Sequence, residues 1–339
     1  MKCAIVLDDL FLRHQTPPGH PERPDRLRSV AAHLHNWKRF AELTVVPPSE
    51  AEESWLRAVH GGEMLDRVKA TAGKLHGQLD PDTHTGPHSF QTALLAAGSV
   101  VRLLGMVLSG EAQSGFALVR PPGHHAESGR SMGFCLFNNI AVSAQWAIER
   151  RGLERIAVID FDVHHGNGTQ QIFEDRADVL YLSTHQFPLY PGTGSWEEQG
   201  SGKGIGTTVN FPISAGRGNG FYLNLFDEFV IPILERYHPQ LVLVSAGYDA
   251  HREDPLANMN LDEQGFGELA ARLNQLARQQ CEGRILYVLE GGYHLQALAA
   301  SLRRTIEVTL NESLPEPSPA PSPRYQSYAR RAREALIGE

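Results

Sequence analysis

The segment 156–168 reads Ile-Ala-Val-Ile-Asp-Phe-Asp-Val-His-His-Gly-Asn-Gly, an apolar run that ends in two carboxylates and two imidazoles. Side chains alternate between the faces of a strand, so we expect Asp160, Asp162 and His164 on one side. Crowded carboxylates repel each other unless a cation lies between them, and oxygen and imidazole ligands suit zinc or a similar ion. The spacing therefore predicts a divalent metal site. The alternative is a buried strand end with hydrogen-bonded carboxylates.

A catalytic metal site needs at least one further protein ligand, and Asp249 is the best candidate. It follows the run Leu-Val-Leu-Val-Ser-Ala-Gly-Tyr, at the carboxyl end of another predicted strand. Two carboxylates and one imidazole neutralise a +2 ion and leave a position open for water. Such an ion lowers the pKa of bound water and polarises a carbonyl group. The alternative for Asp249 is an aspartate that caps a turn or a helix.

A histidine pair and a tyrosine can supply the remaining groups that hydrolysis requires. His124 and His125 follow Pro-Pro-Gly after a predicted strand, and either can reach a common site as base or acid. Asp160 can accept the ring proton of one imidazole, and Asn167 can hold another without a charge. Tyr293 follows two glycines, which let the backbone approach a crowded site, so its hydroxyl can bind an oxyanion. A buried structural tyrosine is the alternative.

Two aromatic residues are candidates for the walls of a narrow slot. Phe134 follows the histidine pair by a short loop, and Tyr190 lies in Leu-Tyr-Pro-Gly-Thr-Gly. Packing in the core is the competing interpretation for both side chains.

Short β-branched runs alternate with longer amphipathic stretches along the chain. The short runs predict strands at Cys3–Asp8, Phe116–Arg120, Ile156–Asp160, Val179–Ser183, Thr208–Phe211, Leu241–Ala246 and Ile285–Glu290. The longer stretches predict helices at Pro24–His35, Ser54–His60, His88–Leu108, Asn138–Arg151, Gly220–Tyr237, Asp262–Arg278 and Leu295–Val308. Ser49 and Glu52 predict a capping box before the second helix. Most of these strands are continuously apolar, as is typical of parallel strands covered on both faces. The order predicts an α/β fold, a single-domain doubly wound parallel sheet flanked by helices.

The polar motifs share one position relative to these elements. Each of five motifs directly follows a predicted strand: residues 120–125, 160–165, 183–185, 245–249 and 290–293. Ligands of open α/β sheets bind beyond the carboxyl ends of the strands. The five motifs are therefore expected at one rim of the sheet.

The composition indicates an ordinary globular protein of 339 residues, 41% hydrophobic and 21% charged. A net charge of −8 argues against binding to nucleic acid or an anionic membrane, and we expect no apolar run of membrane-spanning length. The scattered residues Cys3, Cys135 and Cys281 form no Cys-x-x-Cys pair, so a reducing, cytoplasmic location is expected. Residues 1–312 are predicted as the catalytic domain. Residues 313–339 are predicted as a Pro/Ser-rich linker with a short basic segment, either packed or mobile.

Six motifs, in order, closely resemble those of the zinc-dependent histone deacetylase family, in particular its bacterial class II-like and acetylpolyamine amidohydrolase branches. They are His-Pro-Glu-Arg-Pro (20–24), Arg-Pro-Pro-Gly-His-His (120–125), Gly-Phe-Cys-Leu-Phe-Asn-Asn (133–139), Asp-Phe-Asp-Val-His-His-Gly-Asn-Gly (160–168), Pro-Gly-Thr-Gly (191–194) and Leu-Glu-Gly-Gly-Tyr (289–293). The resemblance covers about Leu10 to Val308. It implies an arginase–deacetylase fold and a zinc ion held by Asp162, His164 and Asp249. Ferrous iron is an alternative, since these ligands serve both ions.

The resemblance also implies roles for other residues of the site. His124 and His125 would flank the catalytic water, with His125 as the general base and acid, and Tyr293 would polarise the acyl carbonyl. Phe134 and Tyr190 would line a tunnel for the alkyl stem of the substrate. The Gly133 carbonyl is expected to accept the amide proton.

Further positions match structural or substrate-selecting residues of the family. A structural potassium ion would be held by Asp160, Asp162, His164, Ser183 and Thr184. Arg26 matches an arginine near an internal cavity thought to release acetate. Asn167 stands where class I members have aspartate, which favours the class II-like branch. Leu256 replaces the glutamate of polyamine-selective eukaryotic members, which argues against a polyamine substrate, and Asp80 or Asp82 is expected at the tunnel rim.

The sequence thus predicts a metal-dependent amidohydrolase that removes acetyl or related acyl groups from N-acyl-lysine or a similar alkyl amine. An acetylpolyamine or another small acylated amine is the alternative substrate. Two further alternatives are an arginase-like binuclear hydrolase and an acyl-lysine binding protein without turnover. The oligomeric state stays open, and a homo-oligomer is compatible with the sequence.

Overall fold

The computed structural model describes residues 2–337, and its centre is an eight-stranded sheet in which every pairing is parallel. Its strands are β1 (Cys3–Val6), β2 (Thr44–Val45), β5 (Ser114–Ala117), β6 (Ile156–Asp160), β7 (Val179–Gln186), β8 (Thr208–Ile213), β9 (Leu241–Ala246) and β10 (Ile285–Leu289). They lie in the order β2-β1-β5-β10-β9-β6-β7-β8. A separate antiparallel hairpin consists of β3 (Gly77–Asp80) and β4 (Thr83–Thr85). The predicted α/β parallel sheet is confirmed.

Helices cover both faces of the sheet and bury its central strands completely. They are α1 (Asp25–His35), α2 (Glu53–Arg57), α3 (Gly62–Lys69), α4 (Ser89–Ser109), α5 (Asn139–Arg151), α6 (Asn167–Phe173), α7 (Asn219–Leu225), α8 (Ile231–Tyr237), α9 (Glu263–Gln280), α10 (Leu295–Leu310) and α11 (Pro323–Ile337). All residues of β6, β9 and β10 are buried, which explains their unbroken apolar sequences. A π-helical turn, Phe226–Val230, joins α7 to α8.

The strand ends set the position of the rim. Asp160, the last residue of β6, pairs with Ser183 of β7 on one side and with Ser245 of β9 on the other. Strand β5 ends at Ala117, level with its neighbours Val6 and Val288, so the loop 118–125 starts earlier than predicted. Loops from four adjacent strands, β5, β10, β9 and β6, therefore leave the sheet side by side.

Two local predictions were wrong. Ser49 and Glu52 do not form a capping box, because α2 starts at Glu53 without a side-chain cap and the Ser49 N–H donates to Ser99 Oγ (3.1 Å). Helix α4 is also long and apolar enough to span a membrane, contrary to the expectation from the sequence. Two thirds of its most apolar window (67%) are buried, and it packs on α5, as a core helix does.

The C-terminal segment folds back onto the body of the protein. Helix α11 buries Tyr325, Ala329 and Ala332, and the Tyr325 hydroxyl donates to the Asn224 carbonyl (2.9 Å). Before the helix, the Glu316 carbonyl accepts a hydrogen bond from the Arg272 guanidinium (2.7 Å). The domain boundary predicted at residue 312 stays a prediction, and residues 338 and 339 lie outside the described part.

Candidate metal centre and active site

Three of the predicted ligands meet in a buried group at the rim. One ligand atom each from Asp162, His164 and Asp249 lies within 4.8 Å of the other two. His164 Nδ1 is 3.2 Å from Asp162 Oδ1 and 3.1 Å from Asp249 Oδ2. Asp162 and His164 come from the loop after β6, and Asp249 comes from the loop after the adjacent β9. Adjacency of two parallel strands thus brings together residues 85 positions apart.

The surroundings of this group fit a cation. Within residues 2–337, no lysine or arginine pairs with either aspartate, and the donors that reach them are backbone N–H groups and histidines. The Gly291 N–H donates to Asp162 Oδ2 (2.8 Å). A Cβ atom at Gly291 or Gly247 would overlap these carboxylates, so glycine is required for the close approach. Two buried carboxylates and one imidazole are a donor set that a divalent ion neutralises.

The two histidines of the predicted pair have different partners. His124 Nδ1 lies 3.0 Å from Asp160 Oδ2, and Asp160 also accepts from the Tyr181 hydroxyl (3.1 Å). His125 Nδ1 lies 2.8 Å from Asn167 Oδ1. The two imidazole rings are 4.0 Å apart, and both side chains are buried. Asp160 and Asn167 are therefore the hydrogen-bond partners of the two imidazoles.

These partners separate the pKa values of the pair. Burial opposes the charge of His124, but Asp160 and Asp162 outweigh it and raise its pKa to about 10. Burial and the positive charges of His124 and His164 hold the pKa of His125 well below its usual range. The two imidazoles of the pair therefore differ in how readily they take up a proton, His124 more readily than His125.

Glu290, which was not predicted as a site residue, supports the backbone of the histidine pair. Glu290 Oε2 accepts hydrogen bonds from the backbone N–H groups of Gly123 (2.6 Å) and His124 (3.1 Å). Burial raises the pKa of Glu290 to about 7, although the positive charge of His124 opposes the shift. Its position in the strand-end motif Leu-Glu-Gly-Gly-Tyr was the available signal.

Two residues, Asp254 and Arg26, position Tyr293. Asp254 Oδ2 accepts its backbone N–H (2.6 Å), and the Arg26 guanidinium lies 5.0 Å from its ring centroid. The Gly292 carbonyl accepts a hydrogen bond from Arg26 Nε (2.7 Å). Gly292 has a φ of +117°, a conformation that glycine adopts readily. Asp254 was not predicted, and no residue pattern pointed to it.

Two of the residues predicted to line a tunnel lie beside the histidine pair and Tyr293. The ring of Phe134 lies 5.9 Å from that of Tyr293, and the ring of Tyr190 lies 5.1 Å from that of His125. Tyr190 is 38% exposed. Gly133 donates its N–H to Asp82 Oδ1 (3.0 Å), so this aspartate supports the loop that carries Gly133 and Phe134.

Leu256 is half-buried and lies on the loop that holds Tyr293. Its N–H donates to Asp254 Oδ1 (3.0 Å), the carboxylate whose other oxygen binds Tyr293. Burial and the charge of Asp82 raise the pKa of Asp80, the second candidate rim residue.

The residues proposed around a potassium ion lie at the end of β6, in the loop after it, and within β7. Strand β7 continues to Gln186, so the motif 183–185, which was predicted to follow this strand, lies inside it. Ser183 pairs with Asp160 in register, and Ser183 Oγ is 2.9 Å from His185 Nδ1. Thr184 Oγ1 and Ser245 Oγ are buried and have no hydrogen-bond partner among residues 2–337.

Arg26 belongs to a buried charge network that connects the first helix to the site. Glu22 bridges Arg26 (3.3 Å to Nη1) and Arg120 (2.7 Å to Nη2), and all three side chains are fully buried. Glu22 lies in the motif His-Pro-Glu-Arg-Pro, which was recognised without a role for this residue.

Fold and site together define a class: a metal-dependent hydrolase whose centre lies at the strand ends of a parallel α/β sheet. Residues 20–309 match the histone deacetylase domain. This match covers most of the chain, so the chain belongs to the histone deacetylase family, and it is a deacetylase-type amidohydrolase, as its motifs predicted.

Relatives from three domains of life agree with this membership. A probable deacetylase of Archaeoglobus fulgidus is 40% identical over 298 residues, 87% of this chain and 82% of that protein. A histone deacetylase-like amidohydrolase of Pseudomonas aeruginosa is 41% identical over 310 residues, 86% of this chain and 82% of that protein. The polyamine deacetylase HDAC10 of Homo sapiens is 39% identical over 312 residues, 88% of this chain but 46% of that protein. The crystal structure of the HDA15 HD domain superposes with a TM-score of 0.93 at 38% identity, covering 99% of this chain and 94% of that one.

Proposed function

We propose that this protein removes an acetyl or related acyl group from the side chain of an acylated lysine in a peptide. The observation that carries the proposal is the buried grouping of Asp162, His164 and Asp249 beside His125. The rings of Tyr190 and Phe134, which lie near His125 and Tyr293, would pack against an extended alkyl stem whose amide reaches the buried group.

Asp162, His164 and Asp249 would hold the metal ion, for which we propose zinc, with ferrous iron as the alternative that the same donors accept. When bound, the ion polarises the acyl carbonyl and makes water a better nucleophile. We further propose a structural potassium ion at Asp160, Asp162, His164, Ser183 and Thr184. The buried, unpartnered Thr184 hydroxyl supports a further ligand near the ends of these strands.

His125 acts as the general base and then as the general acid. Asn167 Nδ2 donates to Glu127 Oε1 (2.7 Å), so Asn167 Oδ1 is the oxygen that faces His125 Nδ1. Nδ1 therefore carries the proton, and Nε2 is free to take a proton from the attacking water. The same nitrogen returns it to the leaving amine.

The remaining groups stabilise charge and position the substrate. His124, paired with Asp160, stays protonated and lowers the energy of the oxyanion by its charge. The hydroxyl of Tyr293 donates to the same oxyanion. Phe134 and Tyr190 form the walls for the alkyl stem, and the Gly133 carbonyl accepts the amide N–H. Arg26, which is fully buried, would line the internal path by which acetate leaves the site.

An acetylated polyamine or another small acylated amine is the second candidate substrate. The observation that favours it is the pair of rim aspartates, Asp80 and Asp82, because carboxylates attract a cationic substrate. Leu256 argues against a polyamine substrate. An apolar side chain on this loop offers no negative charge to the secondary ammonium group of a polyamine.

The test is a turnover assay of the purified protein across acetyl-lysine peptides, longer acyl-lysine peptides, acetylputrescine and acetylspermidine. Metal-free protein is compared with protein reloaded with zinc or with iron, and metal content is measured in parallel. We expect turnover only after reloading, one catalytic ion per site, and highest kcat/KM on a peptide. Full activity without metal contradicts the proposal, and two ions per site favour a binuclear, arginase-like hydrolase.

Two variants separate the metal ligands from the base. Asp162→Ala is expected to lose both turnover and the bound ion, whereas His125→Ala is expected to keep the ion and lose turnover. Substrate binding without product from the unmodified protein would favour a binding function instead.

A further inference from the structure

A cavity of about 410 Å³ opens between the loop 187–197, the end of β8 and helix α11. None of its lining residues belongs to the metal centre or to the histidine pair. Its size falls within the range of sites for small molecules. The cavity exists because α11 folds back over the body of the protein and forms one of its walls. The deacetylase reaction gives this basic C-terminal helix no role, so a second site would explain its docking.

Positive charge dominates the wall of this cavity. Arg217, Arg324 and Arg331 line it, against one carboxylate, Glu197. This excess contrasts with the net charge of −8 of the whole chain. Neither Arg217 nor Arg324 forms an ion pair within residues 2–337. Two guanidinium groups are therefore available to an anion.

Arg217 is held in place rather than free in solvent. Its guanidinium lies 5.2 Å from the centroid of the Phe221 ring, and its Nη2 donates to Ser214 Oγ (2.9 Å). Its Nε is buried and has no hydrogen-bond partner in the described part of the chain. The guanidinium is therefore held in one orientation at the cavity wall, so little further ordering is needed when it binds an anion.

Aromatic and hydroxyl groups complete the wall. The rings of Trp196 and Tyr328 are 5.3 Å apart, and Phe187 also faces the cavity. Ser195, Ser214 and Ser327 add hydroxyl groups beside the arginines. Aromatic faces bind planar rings, and hydroxyl groups bind phosphate or carboxylate oxygens.

We propose that this cavity binds a small ligand in which a phosphate or a carboxylate is joined to a planar ring. The anionic group binds Arg217 and Arg324, and the ring packs on Trp196 and Tyr328. The site goes beyond the deacetylase reaction and does not depend on it.

The cavity shares a loop with the active site. Tyr190, whose ring lies 5.1 Å from that of His125 and which is proposed as a tunnel wall, lies on the loop whose residues Phe187, Ser195 and Trp196 line the cavity. A ligand that fixes this loop changes the position of one tunnel wall. We therefore expect the bound ligand to change KM for the acylated substrate more than kcat.

The test is calorimetric titration of the zinc-loaded protein at low ionic strength with four probes. The probes are AMP, 4-hydroxybenzoate, adenosine and inorganic phosphate. We expect saturable binding of AMP or 4-hydroxybenzoate, and the stronger of the two tells whether phosphate or carboxylate is preferred. Adenosine, the ring without the charge, is expected to bind about tenfold or more weakly, which corresponds to ~1.4 kcal/mol. Phosphate alone is expected to bind weakly because it gains nothing from the aromatic rings.

Variants locate the binding. Arg324→Ala alters an exposed residue of α11, and Arg217→Ala removes the guanidinium that Phe221 and Ser214 hold in place. We expect each of Arg217→Ala and Arg324→Ala to weaken binding of the anionic probe. The matched control is Arg330→Ala, on the same helix, 76% exposed and outside the cavity, which is expected to leave binding unchanged.

Two results overturn the proposal. One is the absence of saturable binding of both ring-bearing anions in the millimolar range. The other is binding that Arg217→Ala and Arg324→Ala leave intact or that Arg330→Ala weakens equally. Because binding is measured without turnover, these results are independent of whether the protein deacetylates any substrate tested.

Discussion

The carboxylate of Asp254 accepts a hydrogen bond from the backbone N–H of Tyr293 at 2.6 Å. The same carboxylate accepts from the N–H groups of Leu256 (3.0 Å) and His294 (3.3 Å). Asp254 follows Asp249 by five positions on one loop, so the segment that carries a proposed metal ligand also holds the backbone of the proposed oxyanion donor. The positions of these two functional groups are thereby linked.

Asp254→Ala is expected to lower kcat about tenfold or more, equivalent to ~1.4 kcal/mol, with a smaller effect on KM. The physical reason is that three backbone donors lose their acceptor, so Tyr293 is no longer held in one position. Steady-state kinetics and metal analysis check this, and the metal content should not change. In a Tyr293→Phe background the same substitution should have little further effect, because the group it positions has lost its hydroxyl.

A matched control separates this role from general damage to the fold. Asp262 also accepts a backbone N–H, that of Gly265 (3.1 Å), as the N-cap of α9, but it does not touch Tyr293. Asp262→Ala should lower the melting temperature and leave kcat nearly unchanged. Equal losses of kcat in both variants, or a full effect of Asp254→Ala in the Tyr293→Phe background, would show that Asp254 is merely structural.

Asn167→Asp is expected to shift the pH dependence of kcat/KM. A carboxylate 2.8 Å from His125 Nδ1 favours the imidazolium, so the pKa of His125 rises. The base form of His125 then exists only at higher pH, and the acidic limb of the profile moves toward alkaline pH. Kinetics across a pH series measure this limb, and Gln171→Glu, a nearby residue that hydrogen-bonds Ser128 rather than the pair, is the control. An unchanged limb would mean that His125 is not the group that limits activity at low pH.

Glu22→Gln is expected to destabilise the protein by about 3–5 kcal/mol, because it leaves Arg120 and Arg26 buried without their counter-charge. Burial raises the pKa of Glu22, but Arg120 and His14 outweigh it and hold this pKa well below the ordinary value of 4.5. Because the pKa of Glu22 is lower in the folded state, its ionised carboxylate stabilises the fold at every pH above its ordinary pKa. This contribution is lost as the pH falls through the pKa of the folded state.

Urea unfolding at neutral pH and along an acid series tests this. The wild-type protein should lose stability below about pH 4.5 more steeply than Glu22→Gln, which lacks this titration. Glu53→Gln, at an exposed ion pair with Arg57, is the control and should have no measurable effect. Equal effects of the two substitutions would contradict a special role of the buried network.

The sequence predicted those parts of the fold and site that follow from periodicity and from motif position. The apolar runs of β6 and β9 are buried on both faces, so composition alone located them to within a residue. Asp162 and Asp249 were paired across the chain because polar residues at strand ends share one rim. Short elements such as the hairpin β3–β4 were missed. Strand β3 has four residues and β4 has three, and several of them are only partly buried, so they leave no periodic pattern in the sequence.

Other contacts could not be predicted because they depend on how loops pack. Asp254 binds the backbone N–H of Tyr293, 39 positions away. Glu290 binds the N–H groups of Gly123 and His124, more than 160 positions away. A sequence does not show where a backbone donor points. The docking of α11 was left open for a similar reason. Its apolar positions are few, and the surface that receives them is assembled from α7, the π-helical turn after it and the loop that carries Trp196.

Tyr325→Ala tests that docking directly. Tyr325 is 1% exposed, its ring centroid lies 5.4 Å from that of Phe221, and its hydroxyl donates to the Asn224 carbonyl. Removing this ring should cost about 3 kcal/mol of unfolding free energy, whereas Tyr325→Phe, which loses only the hydrogen bond, should cost about 1 kcal/mol. Gln326→Ala, exposed on the same turn, should cost almost nothing.

Urea unfolding provides the free energies, and limited proteolysis reports on the connection before the helix. Residues 313–322 are already mostly exposed, but they are held at both ends while α11 is docked. Detachment of α11 releases one end and lets this segment adopt the extended conformation that a protease needs, so Tyr325→Ala should be cut there faster than the other two variants. Stability and cleavage that are the same in all three variants would mean that α11 does not pack on α7 in solution. The anion cavity beneath α11 would then lose one of its walls, so this experiment also bears on the second binding site.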